Sequence, residues 1–89
     1  MATLFARHAV QDFDNWKTAY DSFDGERQGM GVTAHGVYRT DGNPNEVTVW
    51  HRFDTVDAAK AFADSDRLKE VMEGAGVVGP PDIWITNEA

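Results

Sequence analysis

Residues 32–53, VTAHGVYRTDGNPNEVTVWHRF, decide the fold. Runs rich in Val, Thr, Tyr and Trp flank Asp41-Gly42-Asn43-Pro44-Asn45, whose Gly and Asn tolerate positive φ and whose Pro pre-sets it, so the pattern predicts a β-hairpin. With those residues as the loop, Thr40 faces Glu46, Val37 faces Val49, Gly36 faces Trp50 and His35 faces His51. Alternation along each strand then puts His35, Val37 and Arg39 on one side with Val47, Val49, His51 and Phe53. Ala34, Gly36 and Tyr38 share the other side with Thr48, Trp50 and Arg52. Both sides carry large apolar groups, so both need covering.

Working outward, Thr3–Val10 reads as a strand with apolar groups on both sides, which suits a central position in a sheet. Asp12 is positioned as a helix N-cap, and Asp14 places negative charge in the first turn. Phe13, Trp16, Tyr20, Phe23 and Arg27 recur at helical spacing as one buried stripe ending at Gly29 and Gly31. After the hairpin, Thr55 can cap a second helix with Ala59, Phe62, Ala63, Leu68, Val71 and Met72 inside, interrupted at Asp64-Ser65-Asp66 and ended by Gly74 and Gly76. Gly79-Pro80-Pro81 leads into a last strand over Asp82–Thr86. The order βαββαβ, with right-handed crossovers, predicts an α+β, ferredoxin-like single domain over residues 1–89: a four-stranded antiparallel sheet, first and third strands central, helices on one face. The open face would hold Phe5, Tyr38, Trp50 and Trp84, so a second copy of the chain is expected to pack there.

Composition narrows the function classes. At 89 residues the chain buries only roughly 60% of its exposable surface, which also favours association. With no Cys, disulfides, thiolate nucleophiles and Cys-ligated metal sites are excluded. A net charge of −7 argues against nucleic acid and anionic membranes. The N-terminal residues lack the pattern of a signal peptide, and no apolar run is long enough to span a bilayer, so a cytoplasmic setting is expected. Ser22 and Ser65 lack a strand-turn-helix elbow for a hydrolase triad, and the glycines do not follow phosphate-loop spacing.

The join Ala9-Val10-Gln11-Asp12-Phe13-Asp14-Asn15-Trp16, the hairpin residues Tyr38-Arg39 and Asn43-Pro44-Asn45-Glu46-Val47, the run Ala58-Ala59-Lys60-Ala61-Phe62, and Val78-Gly79-Pro80-Pro81 resemble the dimeric α+β barrel superfamily. They resemble most closely its small antibiotic biosynthesis monooxygenase-like members, often labelled cyclases. The resemblance implies a homodimer with a pocket in each subunit, between the helices and the helix-facing side of the sheet. It implies a small-molecule substrate, aromatic or polyketide-like, and monooxygenase or cyclase chemistry without a bound cofactor. In the haem-degrading branch, a Trp ending the third strand and a His late in the second helix mark the pocket. Phe53 and Met72 stand at those positions here, which removes what haem chemistry needs. The same comparison makes the Phe53 side of the sheet the inner one, bringing His35, His51, Arg39 and Val49 into or beside the cavity.

The chain's histidines, His8, His35 and His51, all fall on predicted strands and would surround one cavity if His8 shares the side of Phe53. An imidazole there can take a proton from a phenol or an acidic C–H, and Arg39 could hold the resulting phenolate or enolate. Trp16, Tyr20 and Phe23 on the first helix, with Val49, Phe53, Phe62 and Met72, would line an apolar space able to stack on a flat ring. Ordinary packing is the competing account of each of these side chains. Two alternatives stay open beside the enzyme: a non-catalytic binding or assembly protein of the same fold, and a metal-dependent enzyme using the imidazoles as ligands.

Overall fold

A computed structural model describes residues 1–89. Strand β1 (Ala2–Val10) leads into α1 (Phe13–Ser22) and the short α2 (Asp24–Gly29), then β2 (Ala34–Thr40) and β3 (Asn43–Phe53). Helices α3 (Val56–Ala63) and α4 (Asp66–Gly74) follow, and β4 (Val77–Asn87) closes the chain. The strands form one antiparallel sheet in the order β2-β3-β1-β4, with β1 and β3 central as the pattern predicts.

The predicted hairpin register holds from Ala34 to Arg39, including His35 opposite His51, Gly36 opposite Trp50 and Val37 opposite Val49. The loop is shorter than the five residues expected. Thr40 pairs with Asn43 instead of Glu46, and the turn narrows to Asp41-Gly42, with φ of 81° at Gly42. The pairing is irregular between Thr40 and Arg39, so Pro44, Asn45 and Glu46 have no partner on β2, while Glu46 keeps its pairing with Ala9 of β1. Pro44 has no N–H to donate, and a bulge accommodates that. Strand β4 also begins earlier than expected, and its register with β1 shifts between Arg7 and Ala9, opposite the stretch containing Pro80 and Pro81.

The aromatic stripe forms two helices in close succession. Phe23 keeps near-helical φ and ψ (−86°, −2°) between α1 and α2, and Trp16, Tyr20, Phe23 and Arg27 are all buried. Asp12 occupies the N-cap without a side-chain hydrogen bond, whereas the Thr55 and Ser65 hydroxyls accept from the Ala58 and Leu68 amides at 3.1 and 3.2 Å. Ser65 therefore opens α4 as a separate helix, the division that the Asp64-Ser65-Asp66 cluster predicts.

The helices cover one side of the sheet. Ala2, Leu4, Ala6, His8 and Val10 of β1 are buried there with Val47, Val49, His51 and Phe53 of β3. The other side carries Phe5 stacked on Trp84 at 5.6 Å, and Trp50 lying so close over Gly36 that a Cβ there would collide with the indole. Tyr38 is 60% exposed and Trp84 45%. Arg7 of this face pairs within the chain, with Glu46 at 2.6 Å.

Candidate active site

Between the sheet and the helices lies a cavity of about 60 Å³, lined by Leu4, Ala6, His8, Trp16, Tyr20, Phe23, Arg27, Val49, His51, Phe62, Ala63, Leu68, Val71, Met72, Ala75 and Ile83. One water needs roughly 10–15 Å³ on this scale, so the space suits a small ring or a few waters. Its floor is the inward residues of β1 and β3, whose period of 2 brings His8, Val49 and His51 to the helix side. Its walls are α1 and α2, and α3 and α4 close it. Helix α4 has no buried residue although Leu68, Val71 and Met72 face the cavity, so it is the thinnest cover.

Aromatic contacts order the interior. Trp16 stacks on Tyr20 at 4.9 Å and touches His8 at 5.4 Å, while Phe62 lies 5.1 Å from the His51 ring and 5.3 Å from Phe53. The Tyr20 hydroxyl sits between two imidazoles, 2.8 Å from His35 Nδ1 and 3.1 Å from His51 Nε2. Arg27, 2% exposed, lays its guanidinium 3.7 Å from the centre of the Tyr20 ring and donates from Nη1 to the Tyr20 carbonyl. Its charge is met by Asp24 at 3.2 Å, whose Oδ1 also lies 3.6 Å from His35 Nε2.

Burial sets the electrostatics. His51 is held down to about 3 from the usual 6.5, first because its charged form loses solvation, then by the positive fields of Arg27 and His35. Burial also lowers His8, with the Ala9 backbone pulling the other way. The Tyr20 phenol is pushed up to about 12, burial outweighing the opposing pull of Arg27. His51 and His8 are therefore neutral at physiological pH, and Tyr20 keeps its proton.

Of the residues singled out in the sequence, His8, His51, Trp16, Tyr20, Phe23, Val49, Phe62 and Met72 line this cavity. His35 stands at its edge on the outermost strand, reaching inward only through Tyr20, and opens on a polar cleft shared with Asp24, Arg27, Gln28 and Thr33. Two expectations need correcting. Arg39 is exposed and lies outside the cavity, its Nε donating to the Pro44 carbonyl at 2.9 Å and its guanidinium 3.9 Å from the Phe13 ring, because the bulge offers that carbonyl at the sheet edge. Phe53 is fully buried but packs behind Phe62, in the core and not in the cavity wall.

Nor do the histidines make a metal centre. No group of three or more His, Cys, Asp or Glu side chains is placed to hold a metal ion. Tyr20 stands between His35 and His51, whose rings are 6.2 Å apart, and His8 packs on Trp16.

The buried cation in the cavity wall is Arg27, a member of the helical stripe to which the sequence pattern assigns no chemical role. The available signal was a charged residue at a core position of an aromatic stripe, with Asp24 three residues earlier to neutralise it. Helical spacing likewise shows only that the Tyr20 ring faces inward, not that its hydroxyl meets two imidazoles.

These features define a class: small α+β domains with an apolar cavity between an antiparallel sheet and its helices, and a few buried polar groups in its walls. No protein-family model matches the sequence, and no curated protein sequence matches it. Solved structures do. A conserved protein from Methanosarcina mazei Go1 superimposes with a TM-score of 0.77 at 18% identity, over 99% of this chain and 92% of the other. An antibiotic biosynthesis monooxygenase superimposes at 0.75 and 8% identity, over 100% and 99%. A point mutant of SnoaB, a cofactor-independent oxygenase from Streptomyces nogalater, does so at 0.78 and 11%, over 98% and 91%. The chain thus has the ferredoxin-like α+β fold of the antibiotic biosynthesis monooxygenase-like proteins.

Proposed function

We infer that the protein is a small-molecule enzyme, a cofactor-independent monooxygenase acting on a phenolic or enolisable ring compound in the sheet–helix cavity, with His51 as the base. One observation carries this reading. The buried side-chain nitrogens without a partner in the protein are His8 Nδ1, Arg27 Nε and His51 Nδ1, and all belong to residues lining this one otherwise apolar cavity. An unpaired buried polar atom costs about 1–3 kcal/mol, so three of them in the walls of one cavity support a polar ligand there. Neutral His51 supplies a lone pair or a proton, and Arg27 supplies an N–H and a positive field for the oxygen that becomes anionic.

The carbanion or phenolate so formed can itself pass an electron to dioxygen. Recombination gives a peroxide anion, which takes back a proton, and loss of water leaves a carbonyl where an enolisable substrate had CH₂, or a quinone carbonyl where a phenol had a ring C–H. The protein's part is deprotonation, orientation and exclusion of water. The likeness to SnoaB, a cofactor-independent oxygenase, supports this choice over an aldol-type cyclisation, which needs the same base. A cavity of about 60 Å³ also favours a single ring over a long polyketide unless α4 moves. The aromatic open face of the sheet supports a homodimer.

The test is oxygen uptake with hydroxylated benzenes, naphthols and anthrone. His51→Gln should lower turnover about 10²–10⁴-fold, and Met72→Trp, which fills the cavity from α4 without touching the base, should raise KM or abolish binding. Ring compounds that bind in the cavity and are never turned over would replace this reading with a binding protein of the same fold.

A further inference from the structure

The Tyr20 hydroxyl has one proton and two imidazole neighbours, at 2.8 Å (His35 Nδ1) and 3.1 Å (His51 Nε2). It must therefore donate to one and accept from the other. The direction is set at the outer end. Asp24 Oδ1 lies 3.6 Å from His35 Nε2, and a carboxylate favours the tautomer with the proton on that nitrogen. His35 Nδ1 then accepts from Tyr20, Tyr20 accepts from His51 Nε2–H, and His51 Nδ1 is left with a lone pair. That Nδ1 is one of the three buried side-chain nitrogens with no partner in the protein. Asp24 thus selects the base form of His51 through two intervening side chains.

We propose that Tyr20 is a proton conduit between His51 in the apolar cavity and His35 in the polar cleft outside, so that a proton abstracted within ends on His35 beside Asp24. This rests on His51 being the base. The proton leaving the substrate bonds to His51 Nδ1, the His51 Nε2 proton passes to Tyr20 Oη, and the Tyr20 proton passes to His35 Nδ1. The sum is a substrate anion, neutral His51 and Tyr20, and a His35 imidazolium facing a carboxylate. No electrons change hands.

The charge is thereby moved out of a bad place. His51 is 4% exposed and shares the site with Arg27, whereas the His35 side chain is 37% exposed and faces Asp24. The groups facing the conduit are Tyr20 from α1, with the field of Asp21 beside it, Asp24 and Arg27 from α2, His35 from β2 and His51 from β3, and the acid in contact with an imidazole, Asp24, stands at the outer end. Burial keeps both inner groups neutral, as the relay requires at each end of a turnover. Tyr20, His35 and Asp24 are accordingly positioning residues acting through His51.

The wiring has a signature that needs no substrate. When His35 takes a proton it must donate from Nδ1 to Tyr20, which then donates to His51 Nε2 and shifts the His51 proton to Nδ1. In ¹⁵N-histidine spectra of the ligand-free protein from about pH 8 to about pH 5, the protonated nitrogen of His51 should change from Nε2 to Nδ1 in step with His35, while His51 stays neutral. In Tyr20→Phe, the His51 tautomer should no longer change across that range. In Asp24→Asn, the Nε2–H form of His51 should already be depleted at the alkaline end. A His51 tautomer indifferent to His35 in the wild type, or equally responsive in Tyr20→Phe, overturns the conduit. Because no substrate enters, that failure is separate from a failure of the oxygenase reading, which oxygen uptake decides.

Discussion

The depressed basicity of His51 makes acid stability the sharpest check on the site. Its folded value of about 3 lies below the unfolded 6.5, so between those pH values the unfolded chain holds a proton that the folded chain refuses. Stability contributed by neutral burial is therefore intact above pH ~6.5 and drains away as pH falls toward about 3. The gap of 6.5 − 3 = 3.5 corresponds, at 1.36 kcal/mol per pH unit, to about 5 kcal/mol, on the order of the roughly 4–13 kcal/mol expected for a domain of 89 residues. His51→Gln removes this titration and leaves every carboxylate in place. Urea unfolding of both proteins at intervals from about pH 7 to about pH 4 should show the difference in ΔG shifting in favour of the variant by up to about 1.4 kcal/mol per unit below pH ~6.5. Parallel curves would refute the buried neutral imidazole, as would an NMR titration of His51 with a midpoint near its ordinary value.

Tyr20 gives the mirror image: its phenol is raised from 10.0 to about 12, so its contribution is complete below pH ~10 and lost as pH rises toward about 12, up to about 3 kcal/mol. Tyr20→Phe should flatten that alkaline loss in thermal scans, and an unchanged slope would place the hydroxyl in water. On the other side of the sheet, Trp50→Glu puts a charge where the indole covers Gly36 in the proposed dimer face. Sedimentation should show monomers that keep the helical circular dichroism, and a stable dimer carrying that charge would remove the face from the interface.

The hairpin was legible because its signal is local: turn residues between alternating β-formers specify a register that the turn's true length barely changes. Shortening the loop to Asp41-Gly42 altered only the pairing of Thr40, since the bulge around Pro44 absorbed the surplus residues and left His35 opposite His51. What the pattern did not contain was depth along the sheet. Alternation puts Arg39 on the same side as His51, but β2 is an edge strand, and there a long cationic chain finds a carbonyl and the Phe13 ring before it finds the cavity. Arg27 runs the other way. Its position on a period of 3.6 says that it is buried, and Asp24 one turn earlier says how, yet which apolar neighbours leave a gap beside it is a matter of packing. Phe53 fails for the same reason: facing inward does not tell lining from core.

One register decides both faces of this sheet. Side chains alternate, so the two faces interleave on the same strands: His51 follows Trp50 directly on β3, and His8 stands three residues beyond Phe5 on β1. A slip of one residue would send His51 into solvent and drive Trp50 into the helices. Gly36 guards against it, because only a residue without Cβ can lie beneath the Trp50 indole, and that pairing exists in one alignment alone. The glycine that closes the outer face therefore also holds His35 opposite His51 on the inner one, where Tyr20 joins them.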